Sequence, residues 1–254
     1  MKKEQFVDLY EELVTPFTLS NSKYKIRKTV SKEDKESLTC IPAFVGEKYG
    51  SGNVKLMLVG RAVNGWDLDW AVKARDIAKQ SLSIKFDMGS IDDCPLQNEG
   101  TDDEYNFNRC SFIKLGKDIA TKLGLQAKDS AANLLWSNLY KVAPSLSGNP
   151  NGQVQKIQRQ TAIKILMKEI DTYSPTHILF VTDIDWLQYT WRNNKNELNF
   201  AKALGIQEDL SINGGNYVKA FGRFENIPYV VCVRPETRKI EDMSKDIVEA
   251  YYRV

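Results

Sequence analysis

The residues best placed for chemistry follow an apolar run in Lys55–Trp66, KLMLVGRAVNGW. Leu56, Met57, Leu58 and Val59 lead into Gly60, Arg61, Asn64, Trp66 and, just beyond, Asp67. A carboxamide at Asn64 can hold a water but cannot act as a general base. Asp67, three residues on, carries a carboxylate that can. Trp66 offers an aromatic face for stacking on a planar ring. Each residue has a plainer reading beside this one. Asn64 before Gly65 suits a turn, Trp66 suits a core, and Gly60 suits turn geometry.

Three further cations, Lys141, Arg234 and Arg238, stand just past the ends of predicted strands, as Arg61 does. A parallel sheet would gather all four on one rim. Guanidinium groups gathered there suit a phosphate backbone or another anionic ligand. Glu236 and Asp183 are available to pair with them, and Asp69 and Asp185 are further carboxylates near the same rim.

The elements that must hold these residues alternate. A short apolar run closed by a glycine reads as a buried parallel strand over Leu56–Val59, with a loop over Gly60–Trp66. Strands are also expected over Ala131–Val142, His177–Val181, Tyr217–Phe224 and Tyr229–Val233. Helical spacing marks Gln5–Phe17, Trp70–Leu82, Phe107–Leu123, Val154–Tyr173, Asp185–Trp191 and Ile240–Tyr252. Ser37–Gly52, with Pro42 and three glycines, reads as a loop. Lys23–Lys35 is locally basic, a solvated surface or a phosphate-contacting arm. Ser83–Asp103 is a polar excursion carrying Asp92, Asp93, Glu99, Asp102 and Asp103. Alternating strands and helices predict a three-layer α/β/α fold with a central, mainly parallel sheet. No Ser/Gly/Pro-rich linker divides residues 1–254, so one domain is expected, with residues 1–50 packed on it as an N-terminal helix and basic segment.

Composition narrows the chemistry. The net charge of +2 gives the whole chain no electrostatic footprint of a nucleic-acid binder, although a local patch can suffice. Cys40, Cys94, Cys110 and Cys232 form no Cys-x-x-Cys pair, so neither structural zinc nor an iron–sulfur cluster is signalled. His177 is the sole histidine, which makes a Ser-His-Asp triad or a multi-histidine metal site a poor fit. MKKEQFVDLY has no apolar region after its lysines, and no run approaches membrane-spanning length. A cytoplasmic protein with reduced thiols, no metal and no cofactor is expected.

The order of parts resembles the uracil-DNA glycosylase superfamily. The resemblance covers the order of elements from about Lys55 to the C-terminus, and is closest to the branch whose second motif reads T-N-x-x-K-C-x-P followed by G-N. Here that motif stands as Ser137, Asn138, Leu139, Tyr140, Lys141, Val142, Ala143 and Pro144, with Gly148-Asn149 after it. VGRAVNGW occupies the place of the first motif and VVCVRPETRK that of the last. The resemblance implies hydrolysis of the N-glycosidic bond of a damaged DNA base, with Asn138 reading the base edge. It equally permits a non-catalytic protein that binds nucleic acid, a nucleotide or another anion on the same fold. Two departures bear on this choice. Arg61 and Ala62 stand where the family has its water-holding acid or asparagine. Arg234-Pro235-Glu236 replaces the usual His-Pro-Ser, so a fixed cation stands in for a titrating one. The cysteines that bind the branch's iron–sulfur cluster are also missing. A third reading, a protein–protein interaction module, is permitted by the acidic excursion.

Overall fold

The computed structural model describes residues 2–26, 37–63, 68–84, 110–125, 131–146, 148–190, 194, 196–206 and 217–254. Leu56, Met57, Leu58 and Val59 are wholly buried and begin strand β4, Leu56–Ala62. Full burial of aliphatic side chains of this size stabilises a fold by about 1.5–3 kcal/mol each, which is why such a run settles at the middle of a sheet. β4 pairs in parallel with β5, Leu134–Tyr140, on one side and with β7, His177–Phe180, on the other. β7 pairs in parallel with β9, Ile227–Cys232. The edges are antiparallel: β3, Phe44–Val45, lies on β5, and β8, Val218–Phe224, forms a hairpin with β9. The full order is β3-β5-β4-β7-β9-β8.

Helices cover both faces. On one face α3, Ser111–Lys122, packs beside α7, Ile240–Tyr252, which follows the short helices α5, Ile184–Gln188, and α6, Phe200–Ala203, in the chain. Gly116 of α3 lies against Leu58 and Leu134, close enough that a side chain there would collide with Leu58. On the other face α4, Gly152–Tyr173, packs on β5, with α1, Val7–Val14, and α2, Ala74–Ser83, behind it. Asn151 caps α4, its Oδ1 accepting from the backbone N–H groups of Gln153 and Val154 at 3.0 and 3.1 Å. The chain is thus an α/β protein with four parallel strands at the centre of its sheet, and its buried apolar residues form one continuous cluster.

Two expectations need correction. Gly60, Arg61 and Ala62 continue β4 and are not in the loop, because Gly60 pairs with Asn138 and Ala62 with Tyr140 of β5. Ser37–Gly52 is not a plain loop. It holds β2, Ser37–Cys40, and β3. β2 pairs with β1, Lys25–Ile26, and with β6, Val142–Pro144, in a separate three-stranded sheet. Residues 27–36 and 85–109, which include the rest of the basic segment Lys23–Lys35 and all but the first two residues of the excursion Ser83–Asp103, lie outside the described residues.

Candidate functional site

The parallel strands follow the chain order second, first, third, fourth, as β5, β4, β7 and β9. The sheet therefore grows in opposite directions from β4, and the switch point falls between β4 and β7. Crevices outside the carboxyl ends of strands at such a point are where open α/β sheets take their ligands. A cavity of about 340 Å³ opens there, lined from β4 by Gly60, Arg61 and Ala62, and from past β7 and β9 by Val181, Arg234 and Glu236. Trp136 and Asn138 of β5, Cys110 and Phe112 at the start of α3, and Gly148-Asn149 complete its wall.

Gly60 is the floor, and its lack of a side chain leaves the room that the Asn138 carboxamide occupies. A Cβ at this position would lie 2.5 Å from Asn138 Oδ1 and 3.5 Å from Phe112 Cε2. The strand pleat sends Leu134, Trp136 and Asn138 to the same face, toward α3. Trp136 then stands beside Phe112, with ring centres 5.9 Å apart. Asn138 is only 4% exposed, yet its carboxamide bonds no group among the described residues. A carboxamide facing a cavity offers one acceptor and two donors to whatever enters.

The charged residues lining the cavity are Arg61, Arg234 and Glu236 among the described residues. Arg61 donates from Nε to the Thr182 carbonyl at 2.8 Å and lies over the Trp186 ring, 5.0 Å from its centre. Burial, and then the nearby Arg234, pull its pKa below the ordinary value, while Asp183, Glu236 and Asp185 act in the opposite sense. It remains a cation. Thr182 is held by the next residue, Asp183, whose φ of 66° is rare outside glycine. Its N–H donates to the Cys232 carbonyl of β9 at 3.0 Å, and its Oδ1 accepts from the Ile184 N–H at 2.9 Å. Arg234 is ion-paired with Glu236, the one carboxylate lining the cavity among the described residues.

Of the residues expected from sequence, Gly60, Arg61, Asn138 and Arg234 come together in this cavity. Asn64, Trp66 and Asp67 lie outside the described residues. Arg238 is exposed and does not line the cavity. Lys141 is a correction. It is fully buried at the corner where the chain leaves β5 for β6, and it is not on the rim. Its Nζ donates to Ser137 Oγ at 2.5 Å and to Glu169 Oε2 at 2.8 Å, and Ser137 Oγ donates to the same carboxylate oxygen at 2.6 Å. This cluster sits on the α4 side of the sheet. Trp136, Phe112 and Cys110 were not expected in the site. The Trp136–Asn138 spacing of two is the signal that could have found the first of them.

His177 lies at the start of β7, the end of that strand away from the cavity, edge-on to Tyr251 with ring centres 5.0 Å apart. Among the described residues no cluster of His, Cys, Asp and Glu could hold a metal, and no helix is long and apolar enough to cross a membrane. The chain matches no protein-family model and no curated protein sequence.

Proposed function

We propose that this chain is a uracil-DNA glycosylase-like protein that receives a flipped-out DNA base in the cavity at the β4–β7 switch point and hydrolyses its N-glycosidic bond. The observation that carries the reading is the buried carboxamide of Asn138, open to the cavity and seated over Gly60. A pyrimidine edge alternates carbonyl acceptors and ring donors, which a carboxamide can match from both ends. Trp136 and Phe112 supply aromatic surface for the extruded ring. As the bond breaks, the sugar becomes cationic and the base leaves with negative charge. Arg61 and Arg234 are fixed cations placed to favour that anion. In this reading Asn64 holds the attacking water and Asp67 takes its proton, roles assigned from the sequence.

A second reading is favoured by one specific feature: the one carboxylate that lines the cavity among the described residues, Glu236, is held by Arg234. The chain would then bind a base or nucleotide without cleaving it. Single-turnover release of uracil from single- and double-stranded oligonucleotides separates the two. Release that disappears in Asn138→Ala and in Asn64→Ala or Asp67→Ala is the result expected of the enzyme. Binding of the same oligonucleotides without release, with protein in excess, would overturn the enzymatic reading and leave the binding one. Binding in that case should weaken in Asn138→Ala.

A further inference from the structure

The cavity has a second, chemically distinct wall, where α3 begins. Twelve residues long, this helix has Cys110 as its N-cap, and Cys110 and Phe112 both face the cavity. The first intrahelical bond there runs from the Lys114 N–H to the Cys110 carbonyl at 3.0 Å. The N–H groups of Ser111, Phe112 and Ile113 precede it, and none has an acceptor among the described residues. Cys110 supplies no side-chain cap. Uncapped first-turn N–H groups, together with the positive end of the helix dipole, favour an anion. The same cavity holds the Asn138 carboxamide, 4% exposed and without a partner among the described residues, which independently marks it as a ligand site. Arg61 adds a cation whose two Nη groups make no bond among the described residues. A lone pyrimidine ring fills only part of a cavity of about 340 Å³, a size that suits a whole small molecule.

We infer that the cavity seats a nucleotide unit by both ends, with the base on Asn138 and the phosphate on the open N–H groups at the start of α3, in the field of Arg61. This rests on the base-seating reading above and adds a phosphate seat to it. The chemistry is that of a nucleoside monophosphate, which can arrive free or as one unit of a DNA strand.

Titration calorimetry with deoxyuridine 5′-monophosphate, deoxyuridine, inorganic phosphate and a uracil-containing single strand tests it. The decisive variant is Cys110→Asp. Aspartate is a favoured N-cap that keeps the helix start folded while filling the N–H groups with its own carboxylate. The monophosphate should bind at least tenfold more tightly than deoxyuridine. Cys110→Asp should remove that advantage and leave deoxyuridine binding unchanged, while Cys110→Ala keeps it. A strand that binds more tightly than the monophosphate, with the same loss in Cys110→Asp, identifies DNA as the source. The reverse order identifies a free nucleotide. Equal affinity for monophosphate and nucleoside overturns the phosphate seat and leaves base recognition standing. Phosphate and monophosphate binding that Cys110→Asp abolishes, with no binding of deoxyuridine, supports the seat and overturns base reading. Binding of none of the four overturns both.

Discussion

Gly60 and Asn138 act as one unit, because the space of a missing side chain holds the carboxamide that faces the cavity. In Gly60→Ala the new methyl group would lie 2.5 Å from Asn138 Oδ1, inside any normal contact, so the carboxamide must turn away. Ligand affinity, measured by titration with deoxyuridine 5′-monophosphate, should fall at least tenfold while the melting temperature moves little. The yielding atom belongs to a side chain at the cavity and not to the packed interior. Lys141 should respond in the opposite manner. Lys141→Ala leaves the Glu169 carboxylate, 1% exposed, without its cation, a change that costs about 3–5 kcal/mol. Chemical denaturation should show that loss in Lys141→Ala, and Lys141→Ala/Glu169→Leu should recover most of it. Sequence alone separates these two residues poorly. Both stand near strand ends, and a lysine after a strand looks like a rim cation. Its actual partner is 28 residues away on α4, and no local pattern announces a pairing at that distance. Asn138 was legible because its neighbours carry a motif. Phe112 was not, since an apolar residue in the first turn of an amphipathic helix looks like ordinary core.

Elements with long, single-minded patterns were legible within a few residues. The spacing predicted a helix over Val154–Tyr173 and α4 runs Gly152–Tyr173, while α7 falls on the expected Ile240–Tyr252. β2 was hidden for a physical reason. It is four residues long, glycines and a proline follow it closely, and it is stabilised by pairing with β6 about a hundred residues later. Gly60 misled in the same way, since a glycine that ends an apolar run reads as a turn when it is in fact a strand residue cleared for a neighbour. β7 offers a test at this scale. Its first residue, His177, packs edge-on against Tyr251 of α7, and burial holds its pKa below the ordinary 6.5. A histidine whose folded pKa is depressed binds fewer protons in the folded state than in the unfolded one. Stability therefore rises with pH through the window just below and up to 6.5, and the cost of charging the ring is fully felt below the folded pKa. The melting temperature should fall as pH drops from 7.5 to 5.5, and the fall should be shallower in His177→Gln. With no second histidine in the chain, an unchanged slope would rule out His177 as its origin.

The whole molecule carries 35 basic and 33 acidic residues, so any attraction to a nucleic acid must come from local placement. The cavity brings two arginines together, and one of them, Arg234, is already engaged by Glu236. Binding centred on this cavity should therefore depend only weakly on salt. Each neutralised phosphate of a single strand contributes about −0.7 to the slope of log affinity against log salt, so a slope of about −1 to −2 is expected. Arg61→Ala should flatten it by nearly one contact. Arg234→Ala should flatten it less, because that guanidinium must leave Glu236 before it can serve a phosphate. An exposed pair of this kind is worth about 0–1 kcal/mol, so Glu236→Ala should tighten binding by a few-fold and steepen the slope. Fluorescence anisotropy of a labelled uracil-containing strand across a salt series measures all three variants. A slope steeper than about −5 that is indifferent to Arg61 and Arg234 would move the contact surface away from the cavity, toward the basic run Lys23–Lys35. A shallow slope that responds to Glu236 in the opposite direction from Arg61 would tie affinity to the same few side chains that meet at the end of β4.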